Sequence, residues 1–233
     1  MRTLRVRPAA PAHVASDAAD AGNAGCIVLL PAARQRLEDF IDAGFDRALH
    51  ARGAAFELIL ADPMPSHLND RSWMSRLRDE IVLPARAAGR PLWLGGISLG
   101  AFMALRFAAE APQAIDGLCL IAPYLGSRIV AADIARHADL RDWTAGELTE
   151  EDDERIVWRF VRDLHTSPSQ LFLGLGHKDR FADTQQLLAR SLPPACCLML
   201  EGGHEWPVWR RLWDNFLERH LVRGAQSMGS EHS

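Results

Sequence analysis

One stretch constrains this chain more than any other: Arg90-Pro91-Leu92-Trp93-Leu94-Gly95-Gly96-Ile97-Ser98-Leu99-Gly100, followed by Ala101-Phe102-Met103-Ala104-Leu105-Arg106-Phe107-Ala108. The apolar run Leu92-Trp93-Leu94 predicts a buried strand. The glycines then demand a tight turn, and the Ala- and Leu-rich segment after it predicts a helix stopped by Pro112. Between strand and helix lies Gly96-Ile97-Ser98-Leu99-Gly100, a G-x-S-x-G pattern. A serine at such a turn projects its hydroxyl clear of a sheet. Glycine on either side leaves no Cβ to collide as the backbone doubles back. A helix beginning at Leu99 also presents unpaired amides where a developing oxyanion would sit. The bland alternative, a serine that merely caps a helix, is common for this residue type.

At 233 residues the chain is long enough for one sizeable core. A net charge of −4 gives no electrostatic footprint for nucleic acid. No apolar run reaches the roughly 20 residues a membrane span needs, so neither nucleic acid nor membrane is expected as a partner. Cys26, Cys119, Cys196 and Cys197 fall in or beside apolar runs without C-x-x-C spacing, which predicts buried thiols rather than a metal site. Together with an N-terminus lacking an apolar signal-peptide region, they point to a cytoplasmic setting.

Along the chain, residues 1–25 are expected as a loop or weak hairpin. Cys26-Ile27-Val28-Leu29-Leu30 reads as a strand buried on both faces. Residues 35–51 predict a helix with Leu37, Phe40, Ile41, Phe45 and Leu49 on one face, closed by Gly53. Further strands are expected at 56–60, 117–121, 171–175 and 196–200, with helices over 71–88 (kinked at Pro84), 182–191 and 207–222. Strands alternating with helices predict an α/β fold, a mainly parallel sheet of about six strands with helices on both faces. The polar segment 125–169 breaks that rhythm and is expected as a small helical cap inserted between the core segments 26–124 and 170–223. Its acidic run Glu150 to Glu154 reads as a solvated helix start after a Thr149 cap. Residues 224–233 read as a disordered tail.

In a parallel sheet, reactive groups collect at the C-terminal ends of the strands. The run after the fifth of these strands is Gly176-His177-Lys178-Asp179-Arg180-Phe181, and that after the sixth is Glu201-Gly202-Gly203-His204-Glu205-Trp206. A serine needs a base, and the base needs a carboxylate to fix its tautomer. Ser98, Asp179 and His204 stand in that order. Asp183 is a rival acid and His177 a rival base; His137 and His165 lie in the inserted segment.

On these residues the chain, from about Cys26 to Val222, resembles an α/β-hydrolase-fold serine hydrolase of the small, esterase-like kind. The resemblance implies Ser98 as nucleophile, His204 as general base and acid, and Asp179 as the orienting carboxylate. It implies an oxyanion hole from the backbone amides of Leu99 and Ala33, with Ala32 as the alternative to Ala33; Pro31 has no N–H to give. Where family members often carry His-Gly, this chain reads Pro31-Ala32. The inserted segment falls where the family places a cap, whose Tyr124, Leu125, Ile129, Trp143 and Trp158 would line an apolar acyl pocket or else fasten the cap to the body. Arg34 and Arg128 are a weaker sign of an acidic substrate group. The expected activity is hydrolysis of a small to medium, uncharged carboxylic ester through an acyl-enzyme, with no metal and no organic cofactor. The partner is then a small-molecule acyl substrate, and apolar faces leave room for a homodimer. A thioesterase, acyltransferase or C–C bond hydrolase would use the same triad, and a catalytically silent binding protein is the reading from another class.

Overall fold

The computed structural model describes residues 1–8, 24–63, 68, 70–164 and 170–222. In chain order the elements are β1 (Arg2–Val6), β2 (Gly25–Leu30), α1 (Leu37–Asp42), α2 (Phe45–Ala51), β3 (Phe56–Asp62), α3 (Trp73–Leu77), α4 (Leu83–Ala87), β4 (Leu92–Ile97), α5 (Leu99–Glu110), β5 (Gly117–Ile121), α6 (Arg128–Ile134), α7 (Asp153–Asp163), β6 (Leu171–Gly176), α8 (Ala182–Arg190), β7 (Cys197–Leu200) and α9 (Trp206–Leu217). His165, most of the expected N-terminal loop and the expected tail lie outside the described residues.

The sheet runs β1-β3-β2-β4-β5-β6-β7, and every pair is parallel except β1 with β3. The chain leaves β2 toward β3 on one side and returns to β4 on the other. That reversal opens a crevice beyond the carboxyl ends of β2 and β4. The register Leu30↔Gly96 and Ile97↔Ile121 aligns these ends, so the loops after β2, β4 and β5 meet along one edge. Strands β2, β4, β5 and β6 are buried over their whole length, as expected of a sheet covered on both faces. One face packs on α3, α4, α5 and the inserted segment. The other packs on α1, α2 and α9, with Trp213 and Phe45 stacked 5.3 Å apart between them.

Four expectations are corrected here. Residues 1–25 are not all loop: Arg2–Val6 pairs antiparallel with β3, Leu4 opposite Leu60. An edge strand buries one face only, so five residues carry little periodic signal, and its partners are remote, as in the Arg5–Glu57 bond of 3.2 Å. Among the described residues it makes the sheet seven-stranded. The expected helix over 35–51 is two helices, because Gly44 at φ 80° ends the first. The kink expected at Pro84 is a π-helical turn, Arg78–Val82, just before it; proline cannot donate the next rung of an α ladder. Finally, the acidic run is not merely solvated. Asp153 reaches Arg106, a buried arginine on α5, at 2.8 Å, and Arg71 at 2.8 Å. The residue ahead of α7 is Asp152, to which Thr149 donates from both its amide and its hydroxyl.

Candidate active site

Ser98 sits between β4 and α5 at φ 56° and ψ −113°. Such a conformation costs a non-glycine residue about 1–3 kcal/mol and persists only where its surroundings impose it. The imposition is visible in three backbone hydrogen bonds. The Ser98 N–H donates to Ile121, and its carbonyl accepts from Phe102 (3.2 Å) and Tyr124 (3.1 Å). The flanking glycines are compulsory. A Cβ on Gly96 would stand 2.6 Å from the Leu30 carbonyl oxygen, and one on Gly100 would stand 2.1 Å from the same oxygen.

His204 brings the three candidate residues together. Its Nε2 lies 2.9 Å from Ser98 Oγ and its Nδ1 2.7 Å from Asp179 Oδ2. The partners define the tautomer: Nδ1–H donates to the carboxylate, leaving Nε2 to accept from the hydroxyl. Asp179 is buried, with no exposed side-chain surface. Burial pushes its carboxyl up, but the bonds from His204 and the Phe181 amide, the charge of His204 and the Gln185 amide beside it outweigh that and hold it below the usual carboxylate range. The Phe181 N–H donates to Asp179 Oδ1 at 2.9 Å. Asp183 and His177 are exposed and take no part in this chain of bonds.

The β2–α1 segment crosses the elbow closely: a Cβ on Gly100 would also meet the Pro31 carbonyl at 2.7 Å. Ala33 then occupies a turn closed by the Gln35 N–H to Ala32 carbonyl bond, with Arg34 at φ 66°. Leu99 is the first residue of α5, where an amide has no partner within its helix.

The residues expected to line an acyl pocket divide sharply. Tyr124 is half-buried and its ring meets Phe102 at 5.9 Å and Phe181 at 5.4 Å. Leu125, Trp143 and Trp158 are buried in the core, which corrects their assignment to substrate. The Trp158 indole donates to the Leu125 carbonyl and the Trp143 indole to Asp133. Burying about 150–250 Å² each, these rings contribute roughly 4–6 kcal/mol of apolar burial apiece, enough to hold the inserted segment on the body. Ile129 is 79% exposed, facing solvent.

Three residues that sequence reasoning missed stand against Ser98, His204 and Asp179. The rings of Phe181 and Trp209 lie 5.2 and 5.0 Å from that of His204, each nearly perpendicular to it. Gln185, 1% exposed, donates to the Pro123 carbonyl at 3.2 Å. Proximity to Asp179 in the chain was the one available signal for Phe181 and Gln185. Among the described residues no cluster of His, Cys, Asp and Glu is suited to hold a metal ion, no helix is long and apolar enough to cross a membrane, and all four cysteines are free.

No protein-family model matches the sequence. No curated protein matches it either. Solved structures do. A monoacylglycerol lipase of Paleococcus ferrophilus matches with a TM-score of 0.59 at 16% identity, covering 96% of this chain and 99% of its own. A fluorophosphonate-binding serine hydrolase of Staphylococcus aureus matches with a TM-score of 0.59 at 10% identity, over 93% and 90% of the two chains. An S-formylglutathione hydrolase of Agrobacterium tumefaciens matches with a TM-score of 0.53 at 15% identity, over 84% and 83%. With its mostly parallel sheet, its strained serine after β4 and these structural likenesses, the chain has the α/β-hydrolase fold.

Proposed function

We propose that this protein is a carboxylesterase-like serine hydrolase that cleaves a small to medium, uncharged carboxylic ester. The observation that carries the reading is the unbroken line Ser98 Oγ–His204–Asp179, at 2.9 and 2.7 Å, ending on a serine in a strained turn. His204 Nε2 takes the Ser98 proton as Oγ attacks the ester carbonyl. The tetrahedral oxyanion is received by the amides of Leu99 and Ala33, with Ala32 as the alternative to Ala33. Collapse expels the alcohol, which takes its proton from His204. Water, deprotonated by His204, then attacks the acyl-enzyme and releases the acid and Ser98. Asp179 stays ionised and steadies the imidazolium formed in each half. The row Phe102, Tyr124 and Phe181 supports an apolar group on the substrate, and the monoacylglycerol lipase of like fold supports an ester. The free thiols suit a reducing cytoplasm.

The test is a p-nitrophenyl ester ladder from acetate to laurate, with Ser98→Ala and His204→Ala alongside. The expected result is turnover that peaks at one chain length and falls by roughly 10³–10⁶-fold in both variants. Activity surviving Ser98→Ala overturns the assigned nucleophile. Ser98 labelled by a fluorophosphonate with every ester refused moves the substrate to a thioester, another acyl acceptor or a C–C bond, and a folded protein that does not label is a binding module.

A further inference from the structure

His204 hangs on a loop with little structure of its own: Gly202 stands at φ 125°, Gly203 follows, and α9 begins only at Trp206. Its two hydrogen bonds fix the ends of the ring, and the plane of the ring must be fixed by what packs on it. Phe181 is placed to do both jobs. Its peptide N–H holds Asp179 Oδ1 at 2.9 Å, and its side chain meets the imidazole at 5.2 Å and an interplanar angle of 87°. The same ring touches Tyr124, whose own N–H holds the Ser98 carbonyl, and is covered by the Arg180 guanidinium 4.9 Å from its centroid. Phe181 is therefore joined to Asp179 through its backbone, to His204 through its ring, and to Ser98 only by way of Tyr124.

We infer that Phe181 is a positioning residue for His204. Its backbone orients the carboxylate and its ring orients the imidazole, so that one residue sets both ends of the Asp179–His204 bond. The inference rests on the triad reading above. It goes beyond it by assigning the orientation of the base to a half-buried aromatic side chain outside the triad. An imidazole that must take a proton from Ser98 and return it to a leaving group has to keep both bonds through the cycle, and small misplacements there are costly in rate.

The experiment compares the wild type with Phe181→Leu and Phe181→Tyr. Three measurements are made: the rate of Ser98 labelling by a small fluorophosphonate, the steady-state kinetics (kcat and KM) on the best ester, and the far-downfield proton resonance of His204 Nδ1–H. With Phe181→Leu, labelling and kcat should both fall by about 10-fold or more while KM stays within about 2-fold, and the resonance should broaden through exchange with water. Phe181→Tyr should restore all three. Unchanged labelling and an unchanged resonance in Phe181→Leu overturn the inference, as does a loss confined to KM and chain-length preference, which marks a mere pocket wall. If Phe181→Leu does not fold, the wild type decides: through-space transfer between the Phe181 and His204 ring protons upholds the contact, and its absence overturns it. Failure of the esterase reading is told apart because the resonance needs no substrate.

Discussion

The indole N–H of Trp158 donates to the carbonyl of Leu125 across 3.1 Å, and both residues are fully buried. This bond ties α7 to the segment that follows β5, two residues beyond Pro123. It makes Trp158 a fastener of the inserted segment rather than a surface for substrate. Trp158→Phe leaves the carbonyl unpaired and opens a cavity where the larger indole stood, an expected loss of at least about 1–3 kcal/mol. Thermal unfolding should drop accordingly, with the chain-length preference on the ester ladder unmoved.

Ser98 holds a strained backbone, which the proposed mechanism would use to present its hydroxyl. Ser98→Gly should relieve about 1–3 kcal/mol of backbone strain, offset by the roughly 0.5–1 kcal/mol that glycine loses in entropy on folding. The expected variant is more stable by about 1 kcal/mol and catalytically dead. Urea unfolding beside fluorophosphonate labelling checks both halves.

Two glycines with different surroundings should answer differently to the same change. Gly100→Ala places a methyl 2.1 Å from the Leu30 carbonyl oxygen, which is backbone and cannot step aside. The expected cost exceeds the roughly 1–3 kcal/mol of ordinary overpacking, and little folded protein should be recovered. Gly53 stands at φ 59° with nothing within 4 Å of an added Cβ, so Gly53→Ala should cost only its backbone strain, roughly 1–2 kcal/mol. Melting temperatures of the two variants make the comparison.

In the proposed mechanism Asp179→Asn removes the charge that would steady the imidazolium, and it offers a donor where His204 Nδ1 meets an acceptor. A fall of about 10⁴-fold in kcat is expected, matched by slower fluorophosphonate labelling. The side chain is isosteric, so thermal unfolding should change far less than the rate.

His220 gives the fold a sensitivity to acid. Burial among Trp93, Phe172 and Phe216, with the Arg219 charge adding to it, pushes its pKa below the ordinary histidine value. The unfolded chain then takes up a proton near pH 6.5 that the folded chain refuses. Stability is therefore full above about pH 6.5 and is lost as pH falls from there through the folded value. Urea midpoints at pH 8 and pH 5.5 should show the loss, and His220→Phe, which keeps the aromatic packing, should make it smaller.

The strand–turn–helix around Ser98, the order of Ser98, Asp179 and His204, and the alternation of buried strands with helices are legible in the sequence. Each is a local pattern: a period, a glycine spacing, or a polar residue just beyond an apolar run. A parallel sheet turns that last pattern into a meeting point by aligning its strand ends. The roles of Trp143 and Trp158 are not legible, because an aromatic in an inserted segment has the same letters whether it faces a ligand or a core. Only the tertiary structure decides, by placing Leu125 and Asp133 against their indole nitrogens. The edge strand Arg2–Val6 depends on β3, more than fifty residues away, and the anchoring of α7 depends on Asp153 finding Arg106. The ring of Phe181 against His204 joins two loops that a helix and a strand separate in the chain. Sequence determined what can be read within one turn or one strand. Contacts between remote segments were decided by packing, because burial and hydrogen-bond geometry depend on what the rest of the chain brings alongside.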